Sequence, residues 1–390
     1  IHGTRGVIMP TSIKTPLSAL AVGMLLGFVS GPLVGGQTGK GTAPEPKVLA
    51  FYYSWYRGAG SESWCLPRTR QRKAPHNPVL GDYASSDLKV IRQHLTWAKQ
   101  AAIDGLICSW WGKDLPRTRA FELMLKEAEK QDDGIKICVY YETVLTPRET
   151  DELRRTAGPK RSEVRRTFGI ANRVVGDMRY IVDTYGRSPA YFKVDGKPVI
   201  FIYNQAVAEA NGYWKEIITG IRKERDVFLN VEGPIIPAFQ KEVFDIVDSH
   251  HFYAPLHLPP GISEDVKDTP ERRRKREGAL RLIGKARESG RIIALPVVPG
   301  CDTSLCYPDK DPLTVKRNNG DHYRKVWDET LSLKPDWITI NSFNEWPEGS
   351  EIEPSRECGD LYLKLTKEYA EAFRASKKAG SVAAPKEAEK

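Results

Sequence analysis

The sequence has little cysteine and little histidine, and this scarcity limits the kinds of site it can build. Six cysteines and seven histidines occur in 390 residues. Six cysteines are too few for a small disulfide-stapled scaffold, and none of them stands at the spacing of zinc ligands. His250 and His251 are adjacent within a predicted strand, where neighbouring side chains face opposite ways, so one site cannot use both. The sequence therefore predicts no metal site.

Motifs for nucleotide cofactors are also missing, and the excess of positive charge is small. No G-x-G-x-x-G segment or phosphate loop follows the first predicted strand, so we expect no cofactor. Lys and Arg together number 59 against 50 Asp and Glu, a net charge of +9. The densest basic run, Arg272–Arg276, follows Thr269-Pro270, which is typical of a helix start. We interpret the run as a solvated helix face, with an anionic ligand as the alternative. No basic surface interleaved with aromatics favours nucleic acid.

One long apolar run stands near the start of the chain. Leu17–Val34 follows Lys14 and precedes the small residues Gly35 and Gly36, a layout typical of a secretory signal peptide. A membrane-spanning helix needs about 20 apolar residues without this much Gly and Pro. We therefore favour a cleaved signal peptide and keep an uncleaved anchor as the alternative. We expect a secreted or periplasmic, extracytoplasmic protein that contacts a membrane only if this segment is an uncleaved anchor.

Composition divides the chain into four parts. Polar and small residues are typical of linkers, and an Ala-, Lys- and Glu-rich end is typical of a disordered tail. Residues 1–8 precede a better start at Met9. The predicted parts are a signal peptide or N-terminal membrane segment at 1–36, a linker at 37–46, a catalytic domain at 47–376 and a disordered tail at 377–390.

Short apolar runs alternate with helical patterns eight times in the predicted catalytic domain. The runs are rich in Val, Ile and aromatics, and several are apolar throughout, as strands buried on both faces are. Such alternation predicts a parallel sheet with helical crossovers, and eight units predict a single (β/α)₈ TIM barrel. A doubly wound open sheet is the alternative. The predicted strands are 48–53, 105–110, 135–141, 198–203, 227–231, 246–253, 291–297 and 337–342.

Aromatic and carboxylate side chains gather where the predicted strands end. In barrels of this kind the active site lies at the C-terminal ends of the strands. Sugars are bound by this combination, because their flat faces stack on aromatics and their hydroxyl groups bond to acids and amides. The predicted substrate-binding residues are Tyr53, Trp55, Trp110, Trp111, Glu142, Tyr203, Tyr253, Asp302, Asn344 and Trp346.

Several of these residues also have a purely structural interpretation. Glu142 could be a buried acid paired with Arg or Tyr, and Asp302 could cap a turn. Trp110 and Trp111 could pack the barrel mouth, and Asn344 could close its loop. The sequence leaves these alternatives open.

Glu345 and Glu348 are the predicted catalytic residues. Cleaving a glycosidic bond requires a proton for the leaving oxygen and a second group opposite it, and two carboxyls with separated pKa values usually supply them. Both follow the eighth predicted strand, and their spacing puts them on one face if the segment turns helically. Glu351 and Glu353 add two acids, whose repulsion would raise at least one pKa. The alternative is an acidic surface loop that caps the final helix.

Residues 341–354, NSFNEWPEGSEIEP, resemble the S-F-N-E-W-H-E-G-T-x-I-E-P segment of glycoside hydrolase family 99, the endo-α-mannosidases and endo-α-mannanases. Three further segments are similar to motifs of that family in the same order. These are 51–56 (FYYSWY), 80–87 (LGDYASSD) and 109–112 (SWWG). The resemblance covers nearly all of residues 47–375.

The resemblance implies a (β/α)₈ barrel, no metal, and retaining cleavage within an α-mannoside chain. It implies that Glu345 deprotonates the sugar's own 2-hydroxyl, which attacks the anomeric carbon to give a 1,2-anhydro sugar. Glu348 would then be the general acid/base on the leaving group. Pro347 replaces the family's usual His, and the loop residues Trp64–Pro67 and the basic stretch Arg70–Lys73 also depart from the pattern. These departures concern the sugars beyond the cleaved bond.

The sequence therefore predicts a retaining, endo-acting glycoside hydrolase whose partner is an oligosaccharide or polysaccharide. Two alternatives stay open. One is a catalytically silent carbohydrate-binding barrel. The other is a barrel hydrolase that acts on another, possibly anionic, polysaccharide, which the basic loops suggest.

Overall fold

The structure, a computed structural model, describes most of the chain between residues 44 and 381. The described residues are 44–67, 69–113, 115–131, 134–156, 163, 168–233, 244–253, 269–307 and 312–381. The predicted signal peptide or membrane segment, most of the predicted linker and residues 382–390 lie outside them. In the part of the chain that is described, no helix is both long and apolar enough to cross a membrane.

Strands and helices alternate along the described chain. The strands are β1 Lys47–Tyr52, β2 Gly105–Trp110, β3 Lys136–Tyr141, β4 Lys193–Val194, β5 Lys197–Ile202, β6 Phe228–Glu232, β7 Ser249–His251, β8 Ile292–Val297, β9 Cys301–Asp302, β10 Thr314–Val315 and β11 Trp337–Ile340. The helices are α1 Leu88–Gln100, α2 Pro116–Glu129, α3 Pro147–Arg155, α4 Ile170–Tyr180, α5 Asn204–Glu209, α6 Trp214–Glu224, α7 Pro270–Glu288, α8 Asp321–Ser332 and α9 Leu361–Ser381. A π-helical turn, Ile181–Tyr185, continues α4.

Eight strands pair in parallel and close into a ring. Around the ring the order is β1, β2, β3, β5, β6, β7, β8 and β11, and β11 pairs back with β1. Leu49 of β1 is in register with Gly105 on one side and with Thr339 on the other. On the opposite side of the ring, Tyr140 of β3 is in register with Phe201 of β5. The predicted (β/α)₈ barrel is confirmed, and the open doubly wound sheet is wrong, because an open sheet would have two unpaired edges.

The ring strands are buried on both faces, since side chains fill the interior and helices cover the outside. Every residue of β2, β6 and β11 is buried. Helix α1 illustrates the outer layer: one apolar face, including Ile91, Leu95 and Ala98, is buried, and most of the rest is polar. Asp87 begins this helix by accepting a hydrogen bond from the backbone nitrogen of Lys89. With the core filled, the loops that follow the strands are the place where a site can form.

Two predicted boundaries are corrected by the structure. The sixth ring strand is β7, three residues long, rather than 246–253, because Phe244–Ile246 folds as a 3₁₀ turn before it. The final helix continues to Ser381, so the tail predicted from residue 377 begins too early. Residues 375–378 contain Ala and Lys. Both residue types are strong helix formers, so this composition is as compatible with a continued helix as with a disordered tail.

The basic run Arg272–Arg276 lies in the first turns of α7. The Thr269 side chain accepts a hydrogen bond from the backbone nitrogen of Arg272, and Pro270 is the first helical residue. The side chains of the run are exposed or half-buried. This is the arrangement expected of a solvated helix face.

Two glycines test how tightly the ring and its helical layer are packed. A Cβ at Gly105 would lie 2.7 Å from the carbonyl oxygen of Lys136, whereas a Cβ at Gly176 in α4 would meet nothing within 4 Å. We expect Gly105→Ala to lower the free energy of unfolding by roughly 1–3 kcal/mol, because backbone must move. Gly176→Ala should raise it by about 0.5–1 kcal/mol through helix propensity. Denaturant unfolding checks both, and equal effects would show that β2 tolerates a wider strand spacing.

Candidate active site

A cavity of about 850 Å³ opens where the ring strands end. Its wall combines carboxyl groups with aromatic rings, as the sequence predicts. The acids are Glu62, Glu142, Glu345 and Glu348. The aromatic residues are Tyr53, Trp55, Tyr56, Trp111, Tyr140, Tyr203, Tyr253 and Tyr307.

Glu345 and Glu348 lie on one side of a 3₁₀ turn that follows β11. Trp346–Glu348 forms the turn, and three residues per turn align positions i and i+3. Ser342 Oγ holds its start by accepting a hydrogen bond from the backbone nitrogen of Glu345 at 2.6 Å. Pro347 fits there because a residue in a first turn needs no backbone N–H partner. Both carboxyl groups therefore line the same cavity, as their spacing indicates.

Asn344 joins the first and last strands of the ring at the edge of the cavity. Its Oδ1 accepts a hydrogen bond from the backbone nitrogen of Tyr53 at 2.7 Å, and its Nδ2 donates to the carbonyl oxygen of Tyr53 at 3.0 Å. The Tyr56 hydroxyl donates to the carbonyl oxygen of Asn344 at 2.7 Å. Asn344 is fully buried and does not line the cavity, which corrects the predicted substrate contact. Both polar atoms of its amide are used in hydrogen bonds that hold the loop after β11 against Tyr53.

Trp346 and Glu353 form a buried layer beneath the turn. The Glu353 carboxylate accepts hydrogen bonds from the Tyr83 hydroxyl at 2.7 Å and from Trp346 Nε1 at 3.0 Å. His94 Nε2 lies 3.0 Å from the other carboxylate oxygen, and the side chains of His94 and Glu353 are both fully buried. Trp346 therefore points away from the cavity, which corrects its predicted role in substrate binding. It fixes the turn between the two candidate catalytic acids instead.

Glu351 is also buried and paired. Arg317 Nη2 is 2.7 Å from its Oε1, and His76 Nδ1 is 2.8 Å from the same oxygen. Arg317 also donates to the carbonyl oxygens of Gly349 and Glu351, so one guanidinium ties down the end of the turn. The acidic surface loop considered as an alternative is excluded, because Glu351 and Glu353 are buried, structural acids.

Burial dominates the electrostatics of the two candidate catalytic acids. It raises the pKa of Glu345 well above the usual range, and the charges of Glu348 and Glu142 raise it further, while Lys73 lowers it. Burial also raises the pKa of Glu348, and a hydrogen bond from the Tyr307 hydroxyl, 3.4 Å away, opposes that shift. Neighbouring carboxyls that repel each other keep protons at a pH where free carboxyls are ionised. The site can therefore hold a proton for delivery to a leaving group.

Glu142 is a third carboxyl in the cavity whose pKa is raised. Burial raises its pKa to about 8, the charges of Glu232 and Glu348 add to the shift, and Ser109 and Arg117 oppose it. Glu232 lies next to the cavity lining, where its carboxylate accepts a hydrogen bond from the backbone nitrogen of Asn204 at 2.9 Å. Burial raises the pKa of Glu232 to about 7.

The structure separates the remaining predicted substrate-binding residues into two groups. Six of them line the cavity, so that substrate contact stays a prediction for Tyr53, Trp55, Trp111, Glu142, Tyr203 and Tyr253. Trp110 and Asp302 do not, and their predicted roles are corrected. Trp110 is fully buried and stacks on Tyr141, with ring centroids 5.5 Å apart. Asp302 accepts a hydrogen bond from the backbone nitrogen of Ser304 at 3.0 Å and so caps a turn.

Sixteen of the 24 lining residues were not among the predicted site residues, and four of these have polar or charged side chains that bear on the chemistry of the cavity. Lys73 comes from the loop after β1, Arg117 from the start of α2, Tyr140 from β3 and Tyr307 from the loop after β9. The basic stretch that ends at Lys73 departs from the family pattern, which is a signal that sequence reasoning could have used. For Arg117 and Tyr307 the sequence offers no comparable signal. Across the described residues, no group of three or more His, Cys, Asp or Glu could hold a metal ion.

Comparisons with known proteins find similarity to glycoside hydrolases. The family model described as Glycosyl hydrolase family 99 matches residues 71–231. The glycoprotein endo-alpha-1,2-mannosidase-like protein of Homo sapiens is 26% identical over 376 residues, covering 83% of this chain and 75% of that protein. The glycoprotein endo-alpha-1,2-mannosidase of Rattus norvegicus is 24% identical, covering 84% and 74%. The solved GH99 endo-alpha-mannosidase from Bacteroides thetaiotaomicron shares the fold, with a TM-score of 0.65, 22% identity, and coverage of 85% of this chain and 98% of that chain.

Trp111 and Trp110 should respond differently to truncation, because one is half-buried at the cavity and the other is packed in the core. We expect Trp111→Ala to weaken glycan binding about tenfold, the size expected from a lost stacking contact, with little change in the melting temperature. Trp110→Ala should instead lower the free energy of unfolding by roughly 3–5 kcal/mol. Calorimetric titration and thermal unfolding check the pair. Normal binding by a folded Trp111→Ala variant would assign Trp111 to packing alone.

The raised pKa of Glu142 predicts a pH-dependent stability. The folded state keeps a proton up to pH about 8 that the unfolded chain loses near pH 4.5, so the stability is present below pH 4.5 and is lost as pH rises through 8. Glu142→Gln should therefore change the free energy of unfolding little at pH 4 and raise it by a few kcal/mol at pH 9. Glu149→Gln is the control of opposite sign, because Arg173 lowers the pKa of Glu149 to about 2. Parallel pH profiles for the parent and Glu142→Gln would show that Glu142 titrates normally.

Proposed function

We infer the activity of this chain from its family: it belongs to glycoside hydrolase family 99 or to a closely related family-99-like branch, and it is a glycoside hydrolase. The proposed reaction is the hydrolysis of internal α-mannosidic, or related α-glycosidic, bonds in an oligosaccharide or polysaccharide. The names of its relatives, endo-α-mannosidases of animals and of a bacterium, support the linkage and the endo mode.

The observation that carries the proposal is the pair Glu345 and Glu348 on one side of a single turn, inside a cavity walled by aromatic rings. Their burial supports proton transfer at neutral pH, where solvent-exposed carboxyls hold no proton. A catalytically silent carbohydrate-binding barrel would gain nothing from two closely spaced acids held against their mutual repulsion. We therefore favour a working enzyme over a binding module.

In the proposed first step Glu345 takes the proton of the sugar's 2-hydroxyl, and that oxygen attacks the anomeric carbon. The glycosidic oxygen leaves with the proton of Glu348, so the sugar becomes a 1,2-anhydro sugar and the configuration inverts once. In the second step Glu348 takes a proton from water, and the water oxygen opens the three-membered ring at the anomeric carbon. Glu345 returns the proton to the 2-oxygen, and the two inversions together give retention.

The surroundings of each carboxyl support this division of roles. Burial raises the pKa of Glu345, which makes its carboxylate a stronger base, and the nearby Lys73 opposes that shift and so favours the ionised form. Glu348 is less buried than Glu345, which suits contact with both a leaving group and incoming water. The Tyr307 hydroxyl, 3.4 Å from Glu348 Oε1, can orient that carboxyl without taking its proton. Glu142, protonated to pH about 8, can donate a hydrogen bond to a sugar oxygen.

Two substitutions of the same type should separate the roles. Removing a general acid matters most when the leaving group is poor, because a good leaving group departs without a proton. Glu348→Gln should nearly abolish cleavage of a natural glycan, by about 10²–10⁴-fold, yet keep appreciable first-step activity on an activated aryl or fluoride glycoside. Glu345→Gln should lose activity on both substrates, because the anhydro sugar cannot form without its base.

The comparison requires rate measurements on both substrates with variants whose circular dichroism matches that of the parent. Glu357→Gln is a suitable control, since Glu357 caps the backbone of Asn77 on the surface and does not line the cavity. Equal residual activity of both catalytic variants on both substrates would contradict the assignment. A swapped pattern would exchange the two roles.

A further inference from the structure

Arg117 occupies an unusual position in the cavity wall. It is the second residue of α2, is half-buried, and lines the same cavity as the candidate catalytic acids. Its guanidinium lies over the ring of Trp111, 4.8 Å from the ring centroid. A guanidinium stacked on an aromatic face keeps its N–H groups at its edge, where they remain available to a ligand.

Two other guanidinium groups in the described chain show the usual pairing with a carboxylate. Arg173 is 2.8 Å from Glu149, and Arg317 is 2.7 Å from Glu351. No carboxylate of the described residues forms an ion pair with Arg117, although its charge acts on Glu142 from a distance. Glu142 does not neutralise it at neutral pH, because Glu142 keeps its proton up to pH about 8. The positive charge of Arg117 is therefore uncompensated where substrate must bind.

A second cation increases this local excess. Arg57 also lines the cavity. Burial is the main cause that lowers the pKa of Arg117, and the charge of Arg57 lowers it further, so the two guanidinium groups repel each other. Arg57 has one partner, Glu62, at 3.5 Å, and both side chains are more than half exposed. Exposed pairs of this kind contribute little and open easily. Two cations that repel each other in one wall favour an anion between them.

We propose that Arg117, stacked on Trp111 and assisted by Arg57, binds an anionic substituent of the glycan, so that the natural substrate carries sulfate, phosphate or carboxylate groups. A planar guanidinium offers two parallel N–H donors, which match two oxygens of such a group. A neutral hydroxyl would satisfy one donor and leave the charge uncompensated. The net charge of +9 also favours the approach of a polyanionic chain. The proposal rests on the glycosidase function inferred above and specifies its substrate class.

The test compares matched glycans that differ in a single substituent. The probes are a neutral α-manno-oligosaccharide and the same oligosaccharide bearing an O-sulfate, a phosphate or a uronic carboxylate. The readout is the ratio of kcat/KM on each anionic probe to kcat/KM on the neutral one. In the parent at least one ratio should exceed about ten and should fall as salt is added, since salt screens the charge. The three anionic probes identify which group is preferred.

Arg117→Gln should lower the favoured ratio about 10- to 100-fold, the range of a charge-assisted hydrogen bond. Arg117→Lys should lower it less, because the charge stays while the planar fork is lost. Arg119→Gln is the matched control: Arg119 lies two residues away on α2, is exposed, and does not line the cavity. Its ratio should equal that of the parent. Because each variant is compared with itself on two substrates, a general loss of activity does not affect the readout.

Two outcomes would overturn the subsite. One is cleavage of the neutral glycan with every anionic ratio at or below one in the parent, and the other is an unchanged ratio in Arg117→Gln. Either would leave the proposed hydrolysis standing. If no probe is cleaved, the subsite is tested by binding instead. Calorimetry then measures the binding of each probe to the Glu348→Gln variant and to the double variant that also carries Arg117→Gln. Tighter, Arg117-dependent binding of an anionic probe would then support the subsite while the proposed reaction fails, and equal binding of all probes would overturn it.

Discussion

The amide of Asn344 is the contact on which the geometry of the site depends. It pairs with both backbone groups of Tyr53, and so adds one further step of contact between the residue after β1 and the loop four residues beyond β11. That step places the aromatic segment after β1 directly against the turn after β11. Tyr56 then reaches the carbonyl oxygen of the same asparagine. The relative position of the aromatic wall and of the two carboxyls is thus set by backbone-like hydrogen bonds, which tolerate little displacement.

Four acids within nine residues serve two different purposes because their partners differ. Glu351 and Glu353 are matched by Arg317, His76, His94, Tyr83 and Trp346, and these bonds hold the loop in place. Glu345 and Glu348 face the cavity, where burial raises the pKa of both and the charge of Glu348 raises that of Glu345 further. Paired acids give the loop its rigidity, and the acids beside them can therefore be kept in an unfavourable, reactive state. One short segment thus carries both the candidate catalytic acids and the structural acids that hold them in place.

The fold was predictable from the sequence, whereas the direction of individual side chains was not. Alternating apolar runs predict all eight ring strands, because burial on both faces leaves a plain pattern; the exception in length is β7, where a 3₁₀ turn takes over. Strand ends predict which residues lie near the cavity. They do not predict that Asn344 and Trp346 turn inward, since that depends on Tyr53 and Glu353, which no local pattern connects to them. Arg117 and Tyr307 were missed because they come from a helix start and a loop, where periodicity carries no information.

The contact between Tyr53 and Asn344 spans 291 residues of chain, and this separation has a consequence for how the protein is made. During synthesis the first strand emerges long before its neighbour in the ring, and its edge must wait unpaired while the other strands assemble. Contacts of such long range form slowly because the loop-closure entropy must be lost first. The cavity can therefore be completed only after β11 and its turn have been synthesised and can dock beside β1. A partly synthesised chain has the aromatic wall but lacks both candidate catalytic acids, so it cannot cleave glycans before it is complete.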